Sequence, residues 1–395
     1  MYQKALTRLT LLFFMMGFIT CLNDILIPYL KEIFKLDYSQ AALVQFYFFG
    51  AYGLLSIPSS RIIERIGYHK GMVIGFIVSA LGCISFFPAV IFHSYNLFLL
   101  ALFILAAGIV LLQVAANPYV AVIGPKDTAS SRLTMVQAFN SFGTFLAPFF
   151  GSYFILRGLD RATNAEAVRY PYFFIALVLV AIAFLLSRLK LPALETHEED
   201  HKLPWSTVLK DSSLILGVIG IFLYVGAEVA IGSFLVNYIV FLTPMKEPEA
   251  ATYVAVYWGA AMVGRFLGIF TLKEFLPGRV LAVHAMTGIA LILISINSRG
   301  LIAVYSIVLV GLCNSIMFPT IFTLGIRNLG HFEAQKGSGI LATAILGGAI
   351  IPVITGQMVD KFGFRIAFLL PVLCYAYIAL YGSRNAAAMV PSEDY

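Results

Sequence analysis

Residues 9–30 read LTLLFFMMGFITCLNDILIPYL, an apolar run whose only charge is Asp24. The run is long enough to cross a bilayer as a helix. A carboxylate near the middle of such a helix costs roughly 2.5–3.5 kcal/mol on insertion scales. Asp is too short to snorkel far toward the headgroups. An acid held at that depth usually faces a partner or a water-filled path, and often carries protons or ions. Asp24 is therefore a candidate ion-coupling residue. Asn23 beside it and Pro28 after it add polarity and backbone irregularity to the same helix.

The rest of the chain matches that opening. Of its 395 residues, 60% are hydrophobic and 12% charged, and the mean hydropathy is +0.91. Such a composition excludes a soluble globular protein. Further apolar stretches lie at 41–59, 71–92, 97–123, 133–156, 171–189, 214–242, 250–272, 280–296, 301–326, 339–359 and 364–382. With the first they predict an all-α membrane protein of about twelve spans. Lys and Arg concentrate in the segments on the side of the N-terminus, among them Lys4, Arg61, Arg65, Lys70, Lys126, Arg132, Lys202, Arg279, Lys336 and Arg384. This bias places both termini in the cytoplasm, in a bacterial inner membrane. It also accounts for the net charge of +6 without a nucleic-acid partner. The first span begins like a signal peptide but is too long and lacks a small-residue cleavage site, so it is read as uncleaved. The four cysteines, all within spans, imply no disulfide framework.

The longest polar stretch between spans lies mid-chain. It divides the sequence into an N-terminal six-helix bundle, 1–189, a cytoplasmic linker, 190–212, and a C-terminal six-helix bundle, 213–395. The halves echo each other. Pro118 in span 4 is followed by Pro148-Phe-Phe-Gly in span 5, and Pro319 in span 10 by Pro352-Val-Ile-Thr-Gly in span 11. Weak parallel repeats of this kind suit two pseudo-symmetric bundles that rock around a midplane site. The linker segment His197-Glu198-Glu199-Asp200-His201 fits the zinc-protease pattern H-E-x-x-H literally. It lies in a charged stretch between prolines with no third ligand evident, so it reads as a solvated acidic linker and no metal site is expected.

The remaining signal is polar residues inside apolar spans. A sugar hydroxyl donates and accepts at once, as amides do. Gln113 and Asn117 are four apart in span 4, and Gln137 and Asn140 three apart in span 5, so each pair shares a helix face. With Asn23 they form candidate sugar ligands. Asn237, Asn314 and Gln357 are the counterparts in the second half. Amides also serve as glue between membrane helices. Glu228 in span 7 is the second deep carboxylate: a coupling-ion ligand, a sugar contact or the ion-pair partner of Arg265 in span 8. Tyr47, Tyr257 and Trp258 are candidates for stacking on a sugar face. Glu64 and Arg65, in SSRIIERIGYHKG (59–71), suggest a charge clasp with a neighbouring helix end, and Arg265 a gating role near the inner end of its span.

These residues carry a resemblance. Ser60-x-x-x-Glu64-Arg65-x-Gly67 is similar to the major facilitator signature G-x-x-x-D-R-x-G. The segments GFITCLNDILIPYLK, QVAANPYVAVIGP, SSRLTMVQAFNSFGT and VGAEVAIGSFLVNY resemble the fucose/glucose–galactose permeases, a family of bacterial sugar–cation symporters, over nearly the whole chain. The resemblance implies a role for Asp24 in proton coupling and for Gln137 and Asn140 in the polar cavity. At Gln113 the proton-coupled fucose pattern has Glu. That departure points to the glucose/galactose branch, with Glu228 as a possible second acid and sodium coupling conceivable.

The expected function is import of a hexose of glucose/galactose type in symport with a cation by alternating access. The protein is not expected to be an enzyme. No cofactor is expected beyond co-transported H+ or Na+; the partners are a small-molecule sugar, the cation and the lipid bilayer, and a monomer is expected. L-fucose or N-acetylglucosamine symport with protons is the alternative within the class. A non-transporting membrane sugar sensor is the alternative outside it, but a sizeable soluble output domain, its expected mark, is not evident.

Overall fold

The computed structural model describes residues 2–34, 38–154, 166–189, 192 and 204–386; within these, the side chains of 2–4, 22–34, 38–43, 45, 148, 151–154, 166–169, 331 and 332 are outside the description. The linker motif 197–201 is thus not among the described residues, and Asn23 and Asp24 are placed by backbone only. Every regular element described is helical. In the first half these are α1 (Tyr2–Phe34), α2 (Tyr38–Ile66), α3 (Tyr68–Ile91), α4 (Tyr95–Val122), α5 (Ala129–Phe154) and α6 (Glu166–Arg188). In the second half come the short α7 (Trp205–Val208), then α8 (Ser212–Leu242), α9 (Glu247–Glu274) and α10 (Pro277–Asn297). These are followed by α11 (Gly300–Asn314), α12 (Met317–Ile326), α13 (His331–Thr343), α14 (Gly347–Phe362), α15 (Phe364–Ala367) and α16 (Leu369–Ala386). Among the described residues, nine helical stretches are long and apolar enough to cross a membrane. Bulky apolar side chains such as Leu81, Leu100, Phe270 and Leu380 stand exposed on them, as a lipid-facing surface requires.

Two expected spans are broken helices. The tenth runs as α11 and α12, interrupted at Ser315-Ile316. The eleventh runs as α13 and α14, joined by a 3-10 turn at Ala344–Leu346. Span 11, expected to start at 339, begins as helix eight residues earlier, at His331. Lys336, expected in an inner loop, is therefore a helical residue and is buried. The polar stretch EAQKGSG hides that helix from a hydropathy reading, because its partners are protein groups rather than lipid.

The chain forms two compact units. One comprises Met1–Ile123, Phe139–Leu203 and Gly330–Thr343; the other comprises Gly124–Ala138, Pro204–Leu329 and Ala344–Tyr395. The N-terminal part of α5 thus packs with most of the second half, and α13 packs with most of the first.

Within each unit the helices that carry the polar residues meet through glycine. In the first unit, a Cβ at Gly17 of α1 would strike the Asn140 carbonyl of α5, and one at Gly143 of α5 would strike the Phe14 carbonyl of α1. The Asn140 amide Nδ2 donates to the Phe13 carbonyl at 3.0 Å, and the Thr144 hydroxyl to the Gly17 carbonyl at 3.3 Å. In the second unit, a Cβ at Gly347 of α14 would strike the Phe222 carbonyl of α8, and one at Gly226 of α8 the Ile351 side chain. Spans 1 and 5 and spans 7 and 11 are therefore paired in the same way, each by backbone approach. In a bilayer, where lipid removes the hydrophobic drive between helices, this dispersion and hydrogen bonding is what holds them together.

Gly347→Val should lower thermal stability in detergent by about 1–3 kcal/mol, the usual cost of overpacking. Gly259→Ala, where an added Cβ meets nothing within 4 Å, should be neutral or stabilising by up to about 1 kcal/mol. A melting series on the purified protein reads both; equal losses at the two positions would refute backbone contact as the cause.

Candidate functional site

Proline makes the two sites irregular in the same way. Proline has no N–H, so it leaves the carbonyl four residues earlier without its helical donor. Pro118 in α4 frees the Val114 carbonyl, between Gln113 and Asn117. Pro319 frees the Ser315 carbonyl, next to Asn314. Each freed carbonyl is taken by a side chain. Ser338 Oγ and Gln335 Nε2 of α13 donate to the Val114 carbonyl at 3.2 and 3.4 Å. Arg265 Nε of α9 donates to the Ser315 carbonyl at 3.2 Å.

In the first unit, Asn117 is buried and Gln113 and Asn140 are half-buried. Asn140 spends one amide donor on α1, the helix that carries Asp24. Its role is thus at least partly to join α5 to α1. Gln137 is buried on α5, one turn before Asn140, but its stretch of the helix packs with the second unit. The expected charge clasp has a definite partner: Glu64 Oε1 meets Lys336 Nζ of α13 at 3.1 Å, with side chains 19% and 3% exposed. Ser60 Oγ donates to the Gln335 carbonyl at 2.8 Å, and a Cβ at Gly339 would strike the Ser60 side chain. Arg65 points away, exposed.

In the second unit Asn314 is a hub. It is fully buried. Its Nδ2 donates to the Tyr257 hydroxyl at 2.7 Å, and its Oδ1 accepts from the Tyr375 hydroxyl at 2.5 Å. Its main-chain carbonyl accepts from the Tyr224 hydroxyl at 3.1 Å. The Tyr257 hydroxyl in turn donates to the Glu228 carbonyl at 3.4 Å. The hub therefore ties α8, α9, α11 and α16 together at the break before Pro319. Tyr257, expected as a stacking candidate, is fully enclosed, and its hydroxyl belongs to the hub. Trp258 and Tyr47 are partly exposed. Trp258 meets Tyr257 edge-on, and Tyr47 meets Phe103.

Glu228 sits beside this hub. It is only 9% exposed, and its Oε1 has no hydrogen-bond partner among the described residues. The Tyr224 hydroxyl and the Arg265 guanidinium are the polar groups acting on the carboxylate. Asn237 and Gln357 are exposed on α8 and α14, with Gly356 set against the Phe234 ring one turn from Asn237. Among the described residues, no group of three or more His, Cys, Asp or Glu side chains is placed to hold a metal ion.

The first turn of α5 is fastened by polar groups. The Ser130 and Thr323 hydroxyls are 2.6 Å apart, Ser131 Oγ donates to the Ile269 carbonyl at 2.7 Å, and Arg132 Nη1 donates to the Pro125 carbonyl at 2.6 Å. Ser338, Gln335, Tyr224 and Tyr375 are not among the residues singled out from the sequence, and Lys336 stands there only as a loop charge. The signal was available in part. Each intramembrane proline implies an orphaned carbonyl, and each such carbonyl implies a donor elsewhere.

Residues 9–345 match the sequence family described as Major Facilitator Superfamily. The glucose/galactose transporter of Brucella abortus (strain 9-941) is 50% identical over 392 residues, covering 96% of this chain and 94% of that protein. The putative glucose/galactose transporter of Helicobacter pylori (strain 26695) is 44% identical over 395 residues, with 96% of each covered. A crystal structure of the Escherichia coli fucose:proton symporter superposes with a TM-score of 0.89 at 32% identity, covering 97% of this chain and 99% of that one. Family match, whole-length similarity and fold agree, and the chain belongs to the major facilitator superfamily.

Proposed function

We propose that this chain imports a hexose of glucose/galactose type together with a proton, across a bacterial inner membrane, as a monomer with both termini in the cytoplasm. The observation that carries the reading is the polar content of spans whose other residues are apolar. Amides lie on α4 and α5, an acid on α1, and a second, incompletely partnered acid on α8. The halves 1–189 and 213–395, joined by 190–212, alternate access to a site between the outer and inner faces. No bond is made or broken, so the protein is a carrier and not an enzyme. The names of its relatives support a hexose, and the fucose:proton symporter among them supports cation coupling.

The amides Gln113, Asn117, Gln137 and Asn140, with Asn23, Asn237 and Gln357, supply paired donors and acceptors to sugar hydroxyls. Asn314 has both ends of its amide engaged by tyrosines and serves the site by holding it rather than by touching sugar. Asp24 and Glu228 are the coupling acids. Arg265 favours a proton over sodium at Glu228, because a metal cation there would face the guanidinium, whereas protonation only neutralises the acid. Coupling matters energetically: about 100 mV contributes roughly 2.3 kcal/mol per charge moved, enough for about fiftyfold accumulation. The Glu64–Lys336 pair gates the cytoplasmic side, with Arg65 as its exposed neighbour.

Asp24→Asn should abolish uphill accumulation in energised vesicles and spare sugar exchange, since exchange moves no net ion. Wild-type accumulation by the variant would remove Asp24 from coupling. Gln113→Ala or Gln137→Ala should weaken binding of the transported hexose by about 1–3 kcal/mol, the cost of an unpaired buried polar group. Unchanged titrations on the purified variants would make these amides helix glue. Glu228→Gln should leave uptake insensitive to a protonophore, while exchange of sodium for choline should not slow the wild type. Uptake by the wild type that requires sodium would replace the proton with that ion.

A further inference from the structure

We infer that Ser338 and Gln335 are positioning residues that hold the Val114 carbonyl, and through it join the α4 turn between Gln113 and Asn117 to the cytoplasmic gate; the gate's place in transport rests on the function proposed above. Pro118 cannot donate, so within α4 the Val114 carbonyl has no i+4 partner. Inside a membrane protein, an orphaned carbonyl must find a donor in another helix or a cavity. The donors come from α13, a segment of the second half of the sequence that packs with the first unit. Both Ser338 and Gln335 are buried. The same short helix carries Lys336, paired with Glu64, and the Gln335 main-chain carbonyl that accepts from Ser60.

Thus one face of α13 holds α2, and two of its side chains hold α4. On α4, the bond falls between the two amides assigned to the sugar. Any displacement of α13 must give up the donors to Val114, and any change in the α4 turn alters the acceptor that α13 is bound to. The gate and the α4 turn are therefore linked by a specific pair of hydrogen bonds, distinct from the Glu64–Lys336 ion pair. The 3-10 turn at Ala344–Leu346 separates α13 from α14 and gives α13 a break at which it can move independently of the rest of its span.

Hydrogen–deuterium exchange on the full-length protein in nanodiscs tests this without reference to any sugar. Ser338→Ala should speed exchange in 331–343 and in 111–122 by about fivefold, the change that one net hydrogen bond supports. Ser338→Thr, which keeps the hydroxyl, should restore wild-type protection. Pro118→Ala returns an N–H to α4 and supplies the Val114 carbonyl from within the helix. It should reduce the effect of Ser338→Ala, so the double variant falls short of the sum of the singles. Faster exchange confined to 331–343, additive effects, or failure of Ser338→Thr to restore protection would overturn the link. If Pro118→Ala does not fold, the Ser338 pair decides alone. Loss of hexose transport by the wild type would bear on the proposed function and leave this exchange result unchanged.

Discussion

The constraint on which the structure depends is that the bilayer supplies no hydrogen bonds. Every main-chain N–H and C=O at membrane depth must be satisfied by the protein or by a water-filled cavity. Regular helices meet this condition by themselves, which is why a chain of this composition is helical throughout its described elements. The informative places are those where a helix cannot meet it. Pro118 and Pro319 create two such places, in spans that the sequence repeat relates to each other. In both, the missing intrahelical bond becomes a bond to another helix. The proline thus turns local irregularity into a tertiary contact, at the point where polar side chains are also needed.

A second consequence of the same solvent is the use of glycine. With little hydrophobic drive between helices, stability comes from close approach and from hydrogen bonds across the contact. Gly17 and Gly143 bring α1 and α5 to backbone distance, and Gly226 and Gly347 do so for α8 and α14. Asn140 then reaches the Phe13 carbonyl. The amide that sequence reasoning assigns to a sugar is, in the structure, also a bond between the helix of the amides and the helix of Asp24. Both descriptions fit one residue because an amide has more donors and acceptors than one partner can use.

The fold was legible in the sequence because hydropathy reports the environment that matters most here. Apolar runs the length of a bilayer can only be helices, and the Pro118/Pro319 echo marks related spans. What hydropathy could not report was the identity of polar partners. The stretch containing Gln335, Lys336 and Ser338 is polar enough to read as a loop, yet it is helical and enclosed by protein. Asn314 read as a sugar ligand because an amide in an apolar span has the same signature whether it meets a hydroxyl of a ligand or of Tyr375. Tyr257 illustrates the same ambiguity for aromatics: ring size and depth are visible in the sequence, but enclosure is not. The Glu64 clasp was legible as a charge at a helix end; its partner was not, since Lys336 lies far along the chain.

The hub around Asn314 lies beside the buried Glu228, whose main-chain carbonyl it engages. The Tyr224 and Tyr375 hydroxyls reach Asn314 oxygens, and the Tyr257 hydroxyl donates to the Glu228 main-chain carbonyl. Asn314 Nδ2 is committed to Tyr257. The Tyr224 hydroxyl and the Arg265 guanidinium act on the Glu228 carboxylate, yet Oε1 has no hydrogen-bond partner among the described residues. The tyrosines and Asn314 thus form a network of mutual hydrogen bonds that fixes α8, α9, α11 and α16 beside a carboxylate with one unpartnered oxygen among the described residues.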